Sequence, residues 1–290
     1  MVQFFSLFLT GGLVVLVCSL VIFASQGSEF NNQNIKNIEP RPKDQESTMS
    51  KIPKEPLLFA IFTQANDSES MKVMRQQYSQ NDRNHYVMQS IRSLPEPLWL
   101  YDAFPTHRKM IIVQSLDNIT NAIDIGRYYN LTMIIYDIEQ WEKTPELNHT
   151  DPSLLISKGA DIVHQAGYKY GITPDADTLI ENYKKINWNK TDFLGMQLQK
   201  YSQDTTEYSR LAEEITTFAR SKNPNIEIFT QLSFRFADTN EMIEVIESVK
   251  DIVDGFIVSY LPGTTSDSCI SKCSPHELNL VLDRINKLTR

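Results

Sequence analysis

Histidine is scarce, five in 290 residues, and none of the five falls into an H-x-H or H-E-x-x-H spacing. The usual sequence signatures of a catalytic metal are therefore absent, and no metal is expected. Cysteine is scarcer still: Cys18, Cys269 and Cys273 are all there are, and no second Cys or His pair completes a zinc set around the last two. No run of lysine or arginine is present and the formal net charge is -8, so no nucleic acid is expected as a partner. No glycine-rich loop follows the first apolar run of the globular part, which argues against nucleotide binding, and no cofactor is expected.

What is present begins with an apolar segment, Phe4 to Ala24, with no Lys or Arg before it. A stretch of about 20 residues is long enough to cross a bilayer, and small residues near Ala24 to Gly27 would also suit signal-peptide cleavage. Residues 25–56 are rich in Asn, Gln, Lys, Glu, Ser and Pro and read as a linker. This order, 1–24 anchor or signal peptide, 25–56 linker and 57–290 folded domain, predicts a chain attached to a membrane or secreted, with its domain outside the cytoplasm. Five N-x-S/T sites, at Asn66, Asn118, Asn130, Asn148 and Asn189, are consistent with a glycoprotein. Cys269 and Cys273 lie close enough for a disulfide in an oxidising compartment, or for a redox or metal pair.

From Leu57 onward, short apolar runs alternate with amphipathic stretches. The runs are Leu57–Phe62, Leu98–Tyr101, Met110–Val113, Leu131–Ile135, Tyr168–Thr173, Phe193–Leu198, Ile226–Leu232 and Phe256–Tyr260. Between them lie helical patterns, one of them over about Glu69 to Ser93, and Ser274-Pro275-His276-Glu277 forms a capping box opening the last helix. Strand alternating with helix predicts an α/β fold with a parallel sheet, and eight strands in this length predict a (β/α)8 TIM barrel. Only Ala103 to Lys109 separate the second and third runs, too few for a normal crossover, so the barrel is expected to be irregular around strand two.

The fourth run carries the chemistry. Leu131-Thr132-Met133-Ile134-Ile135 is apolar and then ends in Tyr136-Asp137-Ile138-Glu139, with Trp141 just beyond. With a period of two, Asp137 and Glu139 share a face with Met133 and Ile135, at the end of a parallel strand where barrels place their catalytic groups. Other strand ends supply Gln64, Asp102, Gln114, Asp175, Gln197, Gln199, Gln231 and Tyr260. With Trp141 and Tyr201 at the rim, this mixture of amides, acids and aromatics suits a polyhydroxylated ligand.

The segment Tyr136-Asp137-Ile138-Glu139 resembles the tail of the chitinase-type D-x-x-D-x-D-x-E motif and the D-x-E of lysozyme-like glycan-cutting barrels. Ile135 and Thr132 stand where the chitinase motif has earlier acids. Together with Trp141, Thr144-Pro145 and Gln197-Leu198-Gln199, it also looks like a group of secreted barrel proteins of unassigned activity. The resemblance implies a glycoside-hydrolase-like barrel outside the cytoplasm, acting on a polysaccharide or glycoconjugate. Glu139 would be the general acid and Asp137 its partner. Gln197, Gln199, Gln231, Tyr260, Trp141 and Tyr201 would contact the sugar. The alternative is a non-catalytic carbohydrate-binding surface protein.

Overall fold

Eight short runs that are apolar on both faces can bury them only if they close on themselves and are wrapped by helices. In the computed structural model, which describes residues 57–80, 85–91, 98–139, 152–262 and 273–288, they do so. Strands β1 (Leu58–Thr63), β2 (Tyr86–Ser90), β3 (Arg108–Val113), β4 (Met133–Tyr136), β5 (Lys169–Ile172), β6 (Phe193–Met196), β7 (Glu227–Ser233) and β8 (Gly255–Tyr260) follow one another in sequence order. Each pairs parallel with the next, and β1 pairs parallel with β8 to close the ring. Helices α1 (Ser68–Tyr78), α2 (Trp99–Ala103), α3 (Leu116–Tyr129), α4 (Pro152–Gln165), α5 (Ala176–Asn182), α6 (Thr205–Lys222), α7 (Thr239–Val249) and α8 (Pro275–Lys287) alternate with them. The chain is thus the (β/α)8 TIM barrel that its pattern predicts.

Strand two is where the expectation fails. Residues 69–93 do not form one helix: α1 stops at Tyr78, and Tyr86–Ser90 is the strand. The run Leu98–Tyr101, expected as the strand, lies instead mostly in α2. The reason is burial on both sides. Tyr86 and Met88 enter the barrel while Val87 joins the outer layer under the helices, so all five residues of β2 are buried and no polar alternation marks them. The short spacing from Ala103 to Lys109 followed from the misplaced strand: the crossover runs from Ser90 to Arg108 and carries the five-residue helix α2.

Side-chain parity then decides what lies inside. Ala60, Met88, Met110, Ile112, Met133, Ile135, Phe193, Phe229 and Ile257 fill the barrel. Leu57, Phe59, Val87, Ile111, Ile134, Ile172, Leu194, Ile228 and Val258 face the helices. Two glycines make room for the two inner phenylalanines. A Cβ on Gly171 would sit 3.1 Å from both Phe193 and Ile135, and one on Gly255 would sit 2.5 Å from the Leu58 carbonyl oxygen and 2.7 Å from the Phe229 ring. The amino-terminal end of the barrel is polar. Tyr86 donates to Glu227 at 2.6 Å, the Arg108 guanidinium lies 3.6 Å over the Tyr86 ring, and Arg108 and Lys169 pair with Glu227 at 3.5 and 3.3 Å. That cluster plugs the floor and leaves the carboxyl end as the open one.

Capping chemistry fixes the helices around this frame. Asp238 with Glu241 and Ser274 with Glu277 form reciprocal capping boxes at α7 and α8. Replacing Asp238 by Ala removes one side of the first box and is expected to lower unfolding free energy by about 1 kcal/mol, read from denaturant melts. Asn130 ends α3 with φ 55°, the left-handed conformation that asparagine tolerates, so this N-x-T site has a local structural role. Cys273 is disulfide-bonded; Cys269 lies outside the described residues. The expected anchor at 1–24 and linker at 25–56 also lie outside them. Among the described residues no helix is long and apolar enough to cross a membrane.

Candidate active site

The ladder does not stop at the last residue of β4. The Asp137 amide donates to the Val113 carbonyl at 2.8 Å, and the Thr173 and Asp175 amides donate to Tyr136 and Ile138, each at 3.0 Å. The period of two therefore continues to residue 139, and Asp137 and Glu139 both extend the inward row of Met133 and Ile135. The proof is a shared partner. Gln197, buried at the end of β6, directs Nε2 at Thr173 O (2.8 Å), Asp137 Oδ1 (2.9 Å) and Glu139 Oε1 (3.2 Å).

That amide has two hydrogens for three acceptors, so one bond must be weak, and the longest is the one to Glu139. Asp137 gains a second donor on the same oxygen, the Thr173 hydroxyl at 3.0 Å. Gln199 Nε2 donates to Gln197 Oε1 at 3.2 Å, which fixes the orientation of the Gln197 amide. The two acids consequently differ. Asp137 accepts from the Gln197 amide and the Thr173 hydroxyl, and Glu139 lines an open pocket.

The pocket has a volume of about 560 Å³. Glu139, Asp175, Asp177, Gln197 and Gln199 line one side; Gln231, Ser233, Arg235 and Ser259 come from β7, β8 and the residues just after β7. Phe62, Phe236 and Leu261 add apolar surface. Both oxygens of Asp175 accept from Thr178, where Asp175 caps α5. Lys200 pairs with Asp177. Burial pulls the Lys200 ammonium down, but the bond and charge of Asp177 outweigh this and leave its pKa raised.

Of the sequence-derived residues, the structure brings Asp137, Glu139, Gln197, Gln199 and Gln231 together at this mouth. Tyr260 points the other way: its hydroxyl meets the Ser70 hydroxyl of α1 at 3.3 Å inside the outer core. Tyr201 packs against that core, with the Lys200 ammonium 5.1 Å from its ring, and does not line the pocket. Trp141 lies outside the described residues. Gln114 donates to Ser90, Gln64 is exposed beyond β1, and Asp102 is exposed on α2. Thr173, Ser233, Arg235 and Ser259 were not singled out from sequence. Parity alone finds three of them: Thr173 is two residues after Gly171, Ser233 two after Gln231, and Ser259 two after Ile257, all on inward rows.

The sequence matches no protein family and no curated protein. Solved structures do share the fold. A protein described as a fructose-1,6-biphosphate aldolase, from Coccidioides immitis, aligns with a TM-score of 0.50 at 12% identity, over 80% of this chain and 87% of that one. The tryptophan synthase alpha-subunit of the hyperthermophile Pyrococcus furiosus gives 0.50 at 12% identity, over 81% and 98%. Triosephosphate isomerase from Bartonella henselae gives 0.49 at 12%, over 80% and 99%.

The aldolase-like protein and the tryptophan synthase subunit are not described as glycoside hydrolases, and the expectation of an extracellular glycoside-hydrolase-like glycoprotein that cuts or binds glycan is corrected accordingly. The geometry supplies a reason. Two-acid glycoside hydrolysis sets its carboxyl groups on opposite sides of the scissile bond and keeps one protonated. Here both acids stand on one strand end and accept from one amide, and the nearby Asp175 and Asp177 are engaged by Thr178 and Lys200. The D-x-E resemblance reflects a shared position at the end of strand four.

Proposed function

We propose that this pocket is the active site of an enzyme that moves a proton on a small, polyhydroxylated carbonyl compound, with Glu139 as the general base and acid. The observation that carries the reading is the Gln197 clamp, which gathers two carboxylates on one amide, with Glu139 the one of the two that lines the cavity. A carboxylate that lines such a cavity can take a proton from the carbon next to a carbonyl. The electron pair released from the C–H bond moves to the carbonyl oxygen, and an enolate or enediolate forms. Gln231, whose amide has no hydrogen-bond partner among the described residues, lines the same pocket and can donate an N–H to that oxygen. Return of the proton from Glu139 to the same or the neighbouring carbon completes an exchange or an isomerisation without any co-reactant.

Asp137 has a positioning role here. It shares the Gln197 amide with Glu139 and so sets the group against which Glu139 is placed. The three pocket amides, Gln197, Gln199 and Gln231, suit a ligand with several hydroxyls. Incubating the protein in D2O with a panel of small hydroxy-ketones, hydroxy-aldehydes and their phosphate or carboxylate derivatives tests the reaction class. Deuterium entering the position next to the carbonyl in at least one compound, by NMR, is the expected result. No incorporation across the panel would overturn the reading.

A further inference from the structure

The two sides of the pocket differ in what they offer. The β4 to β6 side presents carboxylates, and its lysine is already paired with Asp177. The β7 and β8 side presents donors. Arg235 forms no ion pair among the described residues; its guanidinium only lies 5.3 Å from the neighbouring Phe236 ring. The Ser259 side chain has no hydrogen-bond partner among the described residues, although the residue is only 6% exposed. Ser233, 5% exposed, uses its hydroxyl oxygen only as the acceptor for the Arg235 amide at 3.3 Å, so its proton remains to be given. Two nearly buried hydroxyls and an unpaired guanidinium line one cavity, across from a cluster of acids.

From this polarity we infer that the wall formed by Ser233, Arg235 and Ser259 is an anion subsite, which holds a phosphate or carboxylate group of the ligand. The inference deepens the proton-transfer reading by naming the substrate class: a small anionic carbonyl compound whose charged end lies against β7 and β8 and whose reacting carbon faces Glu139. An arginine fork and two hydroxyl donors match the oxygens of either anion. The same anion placed near Asp177 or Asp175 would meet like charge, so the polarity of the cavity sets the direction in which the ligand binds.

The test uses the full chain and titrates inorganic phosphate in one arm and malonate in the other, at constant ionic strength, with binding read by calorimetry. Saturable binding of at least one of the two anions is expected, and the arm that binds tighter identifies the headgroup. Arg235→Ala should weaken that binding at least tenfold, and Ser259→Ala severalfold. Glu139→Gln should leave it unchanged or tighter, since it removes a negative charge. Absence of binding in both arms, or equal affinity in the wild type and Arg235→Ala, would overturn the subsite. Anion binding by the wild type, with no deuterium exchanged into any compound of the panel, would reject the proton-transfer reading and leave the subsite standing.

Discussion

Glu139→Gln is expected to cut proton transfer by roughly 10³-fold while the protein stays folded and still binds the ligand. The substitution keeps the shape of the side chain and its acceptor oxygen, so Gln197 can still donate to it at the position it now holds. What is lost is the ability to take and return a proton. Glu139 is half-buried and its clamp bond is long, so the cost in stability should stay within about 0.5 to 1 kcal/mol. Glu139→Asp should retain the chemistry but withdraw the carboxylate by one methylene, losing about 10²-fold through misplacement. The check is the rate of solvent deuterium uptake for the three proteins at matched concentration. Equal rates for wild type and Glu139→Gln would remove Glu139 from the mechanism.

Gly255→Val should be the most damaging single change in the barrel wall, at about 3 kcal/mol. A Cβ there meets the main-chain oxygen of Leu58, which is paired to Gly255 in the β1 to β8 seam and cannot swing aside, and it also meets the Phe229 ring at 2.7 and 2.9 Å. At roughly 2 to 4 °C per kcal/mol for a domain of this size, the melting temperature should drop by about 6 to 12 °C. Gly195 makes the useful comparison. Its added Cβ would meet only side-chain ends, Thr173 Cγ2 at 2.6 Å and Ile257 Cδ1 at 2.7 Å. Gly195→Ala should therefore cost less stability. It should still slow the reaction, because Thr173 is the residue that holds Asp137. A thermal melt of both variants separates the two cases, and equal losses would show that the seam yields more than its geometry implies.

The barrel was legible because most of its strands carry apolar runs with clear ends, and because Asp137 and Glu139 break such a run at a recognisable place. Strand two was not. Tyr86 to Ser90 has no polar alternation, since the barrel interior and the helix layer bury both faces, and it follows an amphipathic stretch that reads as helix. The paired acids and the three pocket glutamines were found from strand-end position. Tyr260 was misplaced because the end of a strand tells where a residue stands and only parity tells which way it faces: Ser259 enters the barrel and Tyr260 joins α1. The resemblance to glycan-cutting barrels rested on two acids in one strand. The feature that sets their chemistry, one amide from β6 reaching across β5 to both, joins residues about 60 positions apart in sequence and is invisible to local pattern.

Affinity labelling reaches the central claim most directly. A small epoxide bearing a phosphate or carboxylate group would place its electrophilic carbon against whichever carboxylate acts as base, and ring opening would leave an ester on that side chain. Peptide mapping by mass spectrometry is expected to find the ester on Glu139, with loss of deuterium exchange in proportion to labelling and protection by the anion that the pocket binds. An ester on Asp175, Asp177 or a residue outside the cavity, with exchange lost in step, would contradict the assignment of Glu139 as the group that moves the proton.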